Sequence, residues 1–305
     1  MIKRSMDRRV LLGTGGAALL GGALGAASGT INPAPAGGPA SSPVSLSPEA
    51  LLDAYVRLRA RTDGKIAFGW LDALRYAVID GEIFPLFRML AFGVSRFRKV
   101  SADRYEAVML EVAHYVDIDS RELVESMTMP GTGKTVAVPK YRTGPKAVAF
   151  GLNIDESETV GAGIPRKQLQ AFAPVGDVRL QRSVSDPRVE NGLFVVRHEE
   201  YGRVTPKDPV AARIFYREWT QWSGAAGPAL DPKLKSVPHQ LSYSALTSWR
   251  PWMQMGTVKG HTAENGRGAK MASLDELPED IRRLTERLHP DVLDNPERAL
   301  DIPPR

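Results

Sequence analysis

The side chains best suited to acid–base work in this 305-residue sequence are five histidines (His114, His198, His239, His261 and His289) and the carboxylates near them. His198-Glu199-Glu200 is the densest titratable cluster. On a strand, His198 and Glu200 share one face, where they could pair a base with an acid or hold one edge of a metal site. The plainer reading is a polar edge strand, and it is the one we favour. His114 follows Glu111 at a spacing that puts the two on opposite faces of a strand, so His114 reads as a satisfied histidine in a sheet. His239 lies in Val237-Pro238-His239-Gln240-Leu241, beside an aromatic segment, and is the first histidine to test. No His-x-His and no His-Glu-x-x-His occurs, so no metal site is expected.

The aromatic segment is the strongest compositional anomaly. Trp219, Trp222, Trp249 and Trp252 are four of the five tryptophans, with Phe215, Tyr216, Tyr243, Met253 and Met255 nearby. Pro251 and Gly256 interrupt the run, so it is no helical stripe. Aromatic residues mostly pack into cores. The functional alternative is the wall of an apolar pocket, with Arg250, Gln254 and His239 as polar fixers. Core is the better reading for any single tryptophan; for the cluster both readings stay open.

Three motifs fail on their surroundings. Gly131-Thr132-Gly133-Lys134-Thr135 imitates a phosphate loop, but position 128 is Thr128 where glycine is needed, and Val136-Ala137-Val138-Pro139 follows in place of a helix. Gly161-Ala162-Gly163 lacks the third glycine of a dinucleotide fingerprint, because Arg166 stands there. Asp117-Ile118-Asp119 lacks the further ligands and the sixth-position glycine of a calcium loop, which here is Glu122. No cofactor is expected.

The elements that would position these groups follow from turn spacing. Ser47-Pro48-Glu49 should open a helix with Leu51, Leu52, Tyr55, Val56 and Leu58 on one face, ended by Asp63-Gly64. From Lys65 to about Pro139, turns at Asp80-Gly81, Ser101-Asp103, Asp117-Ser120 and Pro130-Gly133 recur at the spacing of an antiparallel sandwich or barrel. Residues 142–174 are less regular. Val178–Val184 and Leu193–Glu199 read as strands joined near Asp186-Pro187 and Asn191-Gly192. Ile214–Trp222 fits either helix or strand. Val237–Tyr243 reads as a strand, Trp249–Gly256 as a loop and Asn265-Gly266 as a turn. Pro278–Leu288 reads as a surface helix with Ile281, Leu284 and Leu288 inward. Pro290, Pro296, Pro303 and Pro304 suggest an end without regular structure. The expected class is mainly β with peripheral helices, an antiparallel meander closing as a barrel or sandwich, calycin-like in outline. It forms one domain over residues 47–305.

The address is read from Arg8-Arg9 and the weakly apolar, glycine-diluted run to Ala27. This is the pattern of a twin-arginine export signal over residues 1–27, although Asp7 and Gly13 depart from its common residues. The run is too short and glycine-rich for a membrane anchor, which needs about 20 strongly apolar residues. Residues 28–46, rich in Pro, Ala, Gly and Ser, read as a disordered tether. The expected location is the periplasm or outside the cell, reached already folded through the twin-arginine machinery. The chain has no cysteine, which excludes disulfides, thiolate metal sites and iron–sulfur clusters. Of the formal net charge of +5, a net +3 lies in the first nine residues. No basic stripe remains for nucleic acid or an anionic membrane, so neither is an expected partner.

The run Val237-Pro238-His239-Gln240-Leu241-Ser242-Tyr243, then Ser248-Trp249-Arg250-Pro251-Trp252-Met253-Gln254-Met255-Gly256 and Leu277-Pro278, resembles the C-terminal half of the uncharacterised family called domain of unknown function 1838. The Pro130-Gly133 turn and its strands resemble that family's N-terminal half. The resemblance implies a single domain over roughly Leu51 to Pro296 and brings no reaction and no catalytic residues with it. The leading functional expectation is binding of a small apolar or aromatic molecule by Trp249, Arg250, Trp252, Met253, Met255, Tyr243, Trp219 and Trp222. The alternative is a cofactor-independent hydrolase, lyase or isomerase using His239 or His198 with a carboxylate such as Glu200. An interaction module with no small-molecule site is a third reading.

Overall fold

The computed structural model describes residues 46–151, 176–206 and 214–301. The expected export signal, tether and Gly161-Ala162-Gly163 run lie outside these residues. Helix α1 (Pro48–Arg59) begins as its sequence dictates. The Ser47 hydroxyl accepts from the Ala50 amide at 3.2 Å, proline fills the first turn, and Glu49 sits at the positive end of the helix. The chain then runs through β1 (Ile66–Ile79), β2 (Glu82–Ser101), β3 (Arg104–Val116), β4 (Ser126–Thr128), β5 (Thr135–Ala137), β6 (Tyr141–Gly151), β7 (Gly176–Glu190), β8 (Leu193–Pro206) and β9 (Ile214–Ala225). Helix α2 (Ala226–Leu230) precedes β10 (Gln240–Thr247) and β11 (His261–Met271), and α3 (Glu279–Leu288), α4 (Pro290–Asp294) and α5 (Pro296–Ala299) follow. No helix among the described residues is long and apolar enough to cross a membrane.

Six strands form one antiparallel sheet in the order β10-β11-β1-β2-β3-β6, and β7-β8-β9 form a second. Strands β4 and β5 make a separate hairpin. The second sheet runs on from the edge of the first. The Ser248 amide donates to the Phe215 carbonyl at 3.0 Å, and the Phe215 amide donates to the Ser248 hydroxyl at 2.8 Å, which lays β9 beside β10. Among the described residues no strand pairing closes the sheets into a barrel. The architecture is therefore mainly antiparallel β, sandwich-like and curved around a shared interior.

Strand β2 explains why the fold has two cores. Its odd positions Phe87, Met89, Ala91 and Phe97 point into the interior with Tyr105, Tyr115, Phe150, Trp222 and α1. Its even positions Leu90, Phe92 and Val94 point outward, where α3 covers them with Ile281 and Leu284. A strand buried on both faces reads as a continuous apolar run. Strand β2 carries that run over 20 residues between the expected turns at Asp80-Gly81 and Ser101-Asp103. On this outer face buried Asp72 helps hold α3 to the sheet: Arg88 donates to it at 2.6 Å and Arg121 at 3.1 Å, and Arg121 also pairs with Asp280 of α3.

Three local expectations are corrected and one open alternative is decided. Asn265-Gly266 is no turn: it lies inside β11, where a Cβ on Gly266 would come within 2.4 Å of the Ala73 Cβ. Its glycine serves a close cross-strand approach. Asp186-Pro187 lies within β7, and Asn191-Gly192 alone makes the turn. Ile214–Trp222 is strand. Pro290 and Pro296 do not end regular structure; each opens a short helix at its first turn, where the missing N–H costs nothing.

Helix α1 lies within the fold. Ala54, Val56 and Leu58 are fully buried, and Tyr55 packs edge-on against Phe150 at 5.1 Å and against Trp222 at 5.6 Å. Its carboxyl end leaves carbonyls without helical partners. The buried Lys270 ammonium donates to those of Arg57, Leu58 and Ala60 at 2.7, 2.7 and 2.8 Å. A cation there also complements the negative end of the helix dipole. Each carbonyl has one further donor, the Val237 amide to Arg57 at 3.2 Å, His239 to Leu58 at 2.7 Å and the Ser236 hydroxyl to Ala60 at 3.1 Å, so replacing Lys270 by Met would remove the charged member of each pair of donors. The expected loss of folding stability is about 3 kcal/mol, from the charge-assisted hydrogen bonds removed, read from the midpoint of urea unfolding. A loss under about 1 kcal/mol would show that water or a shifted backbone takes over the role.

Candidate functional site

A cavity of about 170 Å³ lies under the carboxyl end of α1, walled by Trp222, Leu241, His239, Arg59, Glu111 and Lys146. Its floor includes Gly69 and Gly93, which face each other across β1 and β2. Neither glycine is required by the backbone. A Cβ on Gly69 would meet nothing nearer than 3.5 Å, and one on Gly93 nothing nearer than 3.9 Å. What a side chain at either position would fill is the cavity itself. Its volume is comparable to a cavity of roughly 150 Å³ that holds a benzene ring.

A bulge sets the polar wall. Between Met109 and Glu111 the register of β3 against β6 slips, so that Thr143 faces Glu111 and Lys146 faces Met109. Gly144 makes the slip possible: its φ is +95°, and a Cβ there would lie 2.4 Å from the Met109 carbonyl oxygen. One extra residue turns Lys146 inward beside Glu111. Burial pulls the Lys146 pKa down, against the upward pull of Glu111, and burial pushes the Glu111 carboxyl up. Arg59 lies over the Trp222 ring at 4.8 Å and near the Phe150 ring at 5.7 Å.

His239 joins α1 to this wall. Its Nδ1 lies 2.7 Å from the Leu58 carbonyl oxygen, so Nδ1 carries the proton and Nε2 is the acceptor nitrogen. Burial, with the nearby Lys270 charge second, lowers its pKa to about 3. The ring is a neutral imidazole at ordinary pH.

The acids continue around the interior. Glu200 on β8 and Glu218 on β9 are cross-strand partners. Burial pushes Glu200 up to about 8 and Glu218 up to about 7, the latter raised also by Glu200. Tyr216 donates to Glu218, and Thr220 donates to it at 3.2 Å, whereas Glu200 Oε1 has no hydrogen-bond partner. His198 shares the Glu200 face as its spacing required. It lies within the interior, 6 % exposed, and not on a polar edge: β8 is the middle strand of its sheet. Its Nδ1 is 3.0 Å from the Ser185 Oγ, its Nε2 is 3.6 Å from Glu200 Oε2, and its ring lies 6.4 Å from that of Trp222.

The other aromatic residues occupy different places. Tyr243 donates to Glu264 at 3.1 Å, and Glu264 pairs with buried Arg75, whose guanidinium lies over Phe87 and Tyr115. Trp252 packs on those two rings at 6.2 and 6.3 Å. The positive charge of Arg250 acts on Tyr115, Tyr141 and Tyr243 in the same region. Met253 and Met255 are buried core, and the Trp249 indole donates to the Val258 carbonyl at 2.9 Å. Trp219 lies under Arg217, 4.6 Å from its guanidinium. Trp222 and His239 are thus the sequence-chosen residues on the cavity wall. Arg59, Glu111, Lys146 and the two glycines carried no sequence signal beyond their types. Among the described residues no group of three or more His, Asp or Glu side chains is placed to hold a metal ion.

Residues 209–304 match the sequence model of a family described as "Protein of unknown function (DUF1838)", so the resemblance read from Val237 to Pro278 holds over that stretch. No curated protein matches the chain. Among solved structures, OmpF of Salmonella typhi in complex with daunomycin is 7% identical, with 68% of this chain and 98% of that chain covered and a TM-score of 0.21. A DUF1329 family protein from Desulfovibrio piger is 10% identical, with 72% and 90% covered and a TM-score of 0.16. Neither likeness is close enough to bear on fold or function.

His239 gives a pH dependence with a definite sign. Its folded pKa of about 3 lies below the ordinary value of 6.5, so above 6.5 it contributes fully to stability, and that contribution is lost as pH falls from 6.5 toward 3. Each pH unit in that window removes up to about 1.4 kcal/mol. In His239→Gln the slope of unfolding free energy against pH should flatten between pH 6 and 4 relative to the parent, a comparison that cancels the other titrating groups. Equal slopes would mean that His239 is not held neutral.

Proposed function

We propose that this is an exported protein that binds a small, partly apolar or aromatic molecule within its β interior, in the cavity beside Trp222. The observation that carries the reading is the Gly69–Gly93 pair. Two facing glycines in regular strands, with room for side chains and no backbone reason to lack them, keep open a space about the size of an aromatic ring. The wall suits such a ligand. Trp222, Leu241 and Met109 offer apolar surface, and Arg59, Lys146, Glu111 and His239 offer a few fixed polar groups to orient it. The Trp249–Met255 segment supports the interior at the other end through Phe87 and Tyr115.

Export rests on Arg8-Arg9 and the glycine-diluted apolar run behind them. A fold with a buried Arg75–Glu264 pair, a buried Lys270 and no cysteine suits a route that carries cargo already folded.

Two outcomes test this reading. Gly93→Leu should fill the cavity, keep the circular dichroism spectrum of the parent and lose at least tenfold in affinity for any small aromatic compound that quenches tryptophan fluorescence, with Trp222→Phe removing most of the signal. Unchanged affinity in Gly93→Leu would place the ligand elsewhere. Arg8→Lys combined with Arg9→Lys should leave the protein in the cytoplasm on fractionation of its host; continued export would remove the twin-arginine assignment.

A further inference from the structure

The Ser185–His198–Glu200 alignment is used by nothing in the binding reading, yet the His198 ring lies 6.4 Å from that of Trp222 on the cavity wall. Ser185 is exposed, while His198 and Glu200 are 6 % and 3 % exposed. A surface hydroxyl thus leads through an imidazole to a buried carboxyl. The Ser185 Oγ is 3.0 Å from His198 Nδ1, so its proton can pass to that nitrogen. The opposite nitrogen, Nε2, faces Glu200 Oε2 at 3.6 Å. Either imidazole nitrogen can serve as base provided the other is held. A further hydroxyl reaches the serine and connects it to a cation. The Tyr55 hydroxyl reaches both Ser185 and Arg59, with Arg59 Nη1 donating to it at 3.5 Å. Arg59 is itself stacked on Trp222, whose ring forms the cavity wall and lies against His198.

Nucleophile, base and carboxyl are therefore aligned, and a cation is linked to the serine through the Tyr55 hydroxyl and to the cavity through Trp222. We propose that Ser185 is a nucleophile for acyl transfer, activated by His198 and oriented by Glu200, acting on carboxylic esters with a small apolar or aromatic acyl group. The acyl group takes the Trp222 cavity, so the assignment of substrate class rests on the binding reading above. In the first half-reaction the Ser185 Oγ bonds to the ester carbonyl carbon as His198 takes its proton. The carbonyl oxygen gains negative charge facing Arg59. The bond to the alcohol oxygen then breaks, and His198 returns the proton to the departing alcohol. In the second, water attacks the acyl-serine, again losing its proton to His198, and releases the carboxylic acid with Ser185 restored. Glu200 is a positioning residue: it touches neither substrate nor the reacting oxygen, and its carboxylate form supports the imidazolium that forms 3.6 Å away. Burial pushes the Glu200 carboxyl up, and the Lys146 and Arg59 charges pull it back toward the carboxylate that this role needs from the start.

The test uses the full chain and a fluorophosphonate. The probe's phosphorus bonds to an activated serine oxygen as fluoride leaves, so it reports activation without knowledge of the natural ester. The expected result is one adduct, placed on Ser185 by peptide mass spectrometry. It should be absent in Ser185→Ala and slowed on the order of 10³-fold in His198→Gln. In Glu200→Gln labelling should slow at least tenfold, and in Glu200→Asp it should partly recover at unchanged thermal stability, a rescue that a merely packing role would not give. No adduct on folded protein, or labelling at Ser185 that ignores His198→Gln, overturns the proposal. Fluorescence titration of Ser185→Ala with small aromatic compounds separates the two readings. Binding retained without labelling in the parent sinks the acyl-transfer step alone, whereas loss of both sinks the cavity as a ligand site.

Discussion

Helix α1 is held at its carboxyl end by donors from distant strands, and the interior is organised around that attachment. Lys270 of β11 supplies three hydrogen bonds to the terminal carbonyls, and His239, just before β10, supplies one to Leu58. Arg57 reaches back to the Leu234 carbonyl at 2.8 Å. A helix end buried without such donors would leave several polar groups unpaired. With them, a short helix of 12 residues can sit against apolar strands and present Tyr55 and Arg59 where no strand could. The price of this arrangement is a buried amine: burial, with the Arg61 charge second, pushes the Lys270 pKa down to about 7.

The interior is unusual in its chemistry more than in its topology. An antiparallel sandwich commonly fills its inner faces with aliphatic side chains. Here the inner faces of β3, β6, β8, β9 and β11 carry Glu111, Lys146, Glu200, Glu218 and Glu264. Such groups are costly to bury unless paired or neutralised. Arg75 and Tyr243 satisfy Glu264. Glu200 and Glu218 are pushed toward their neutral forms, and Glu200 keeps an oxygen with no partner. A fold selected for stability alone has little reason to keep such groups, whereas strongly shifted acids beside a cavity are characteristic of sites that bind or react. The Gly69–Gly93 floor points the same way, because it gives up apolar packing to hold space open.

Much of the fold was legible along the chain. Ser47-Pro48 announced α1, the turn spacing announced the antiparallel sheet, and the apolar stripe at Ile281 and Leu284 announced the covering helix. The failures share a cause. Asn265-Gly266 has the residue types of a hairpin turn, but its glycine answers a close approach by Ala73 about 190 positions away in sequence. The double-faced burial of β2 erased the period of two that would have told its inner face from its outer one. The candidate site was legible only in fragments. The His198-x-Glu200 spacing put both on one face, and that inference needed nothing beyond a strand. Nothing local marked Arg59, Lys146 or Ser185 as their neighbours.

By itself the sequence determined what depends on near neighbours: caps, turns, side-chain alternation, and the absence of cysteine chemistry, because these follow from backbone geometry and composition over a few residues. The tertiary structure decided which faces became interior and which charges met there. Register is a long-range property: a single bulge at Gly144 turns Lys146 inward, and the pairing of β8 with β9 places Glu200 against Glu218. Those contacts join residues tens to hundreds of positions apart, and only the folded chain brings them within the few ångströms over which hydrogen bonds and shifted charges act.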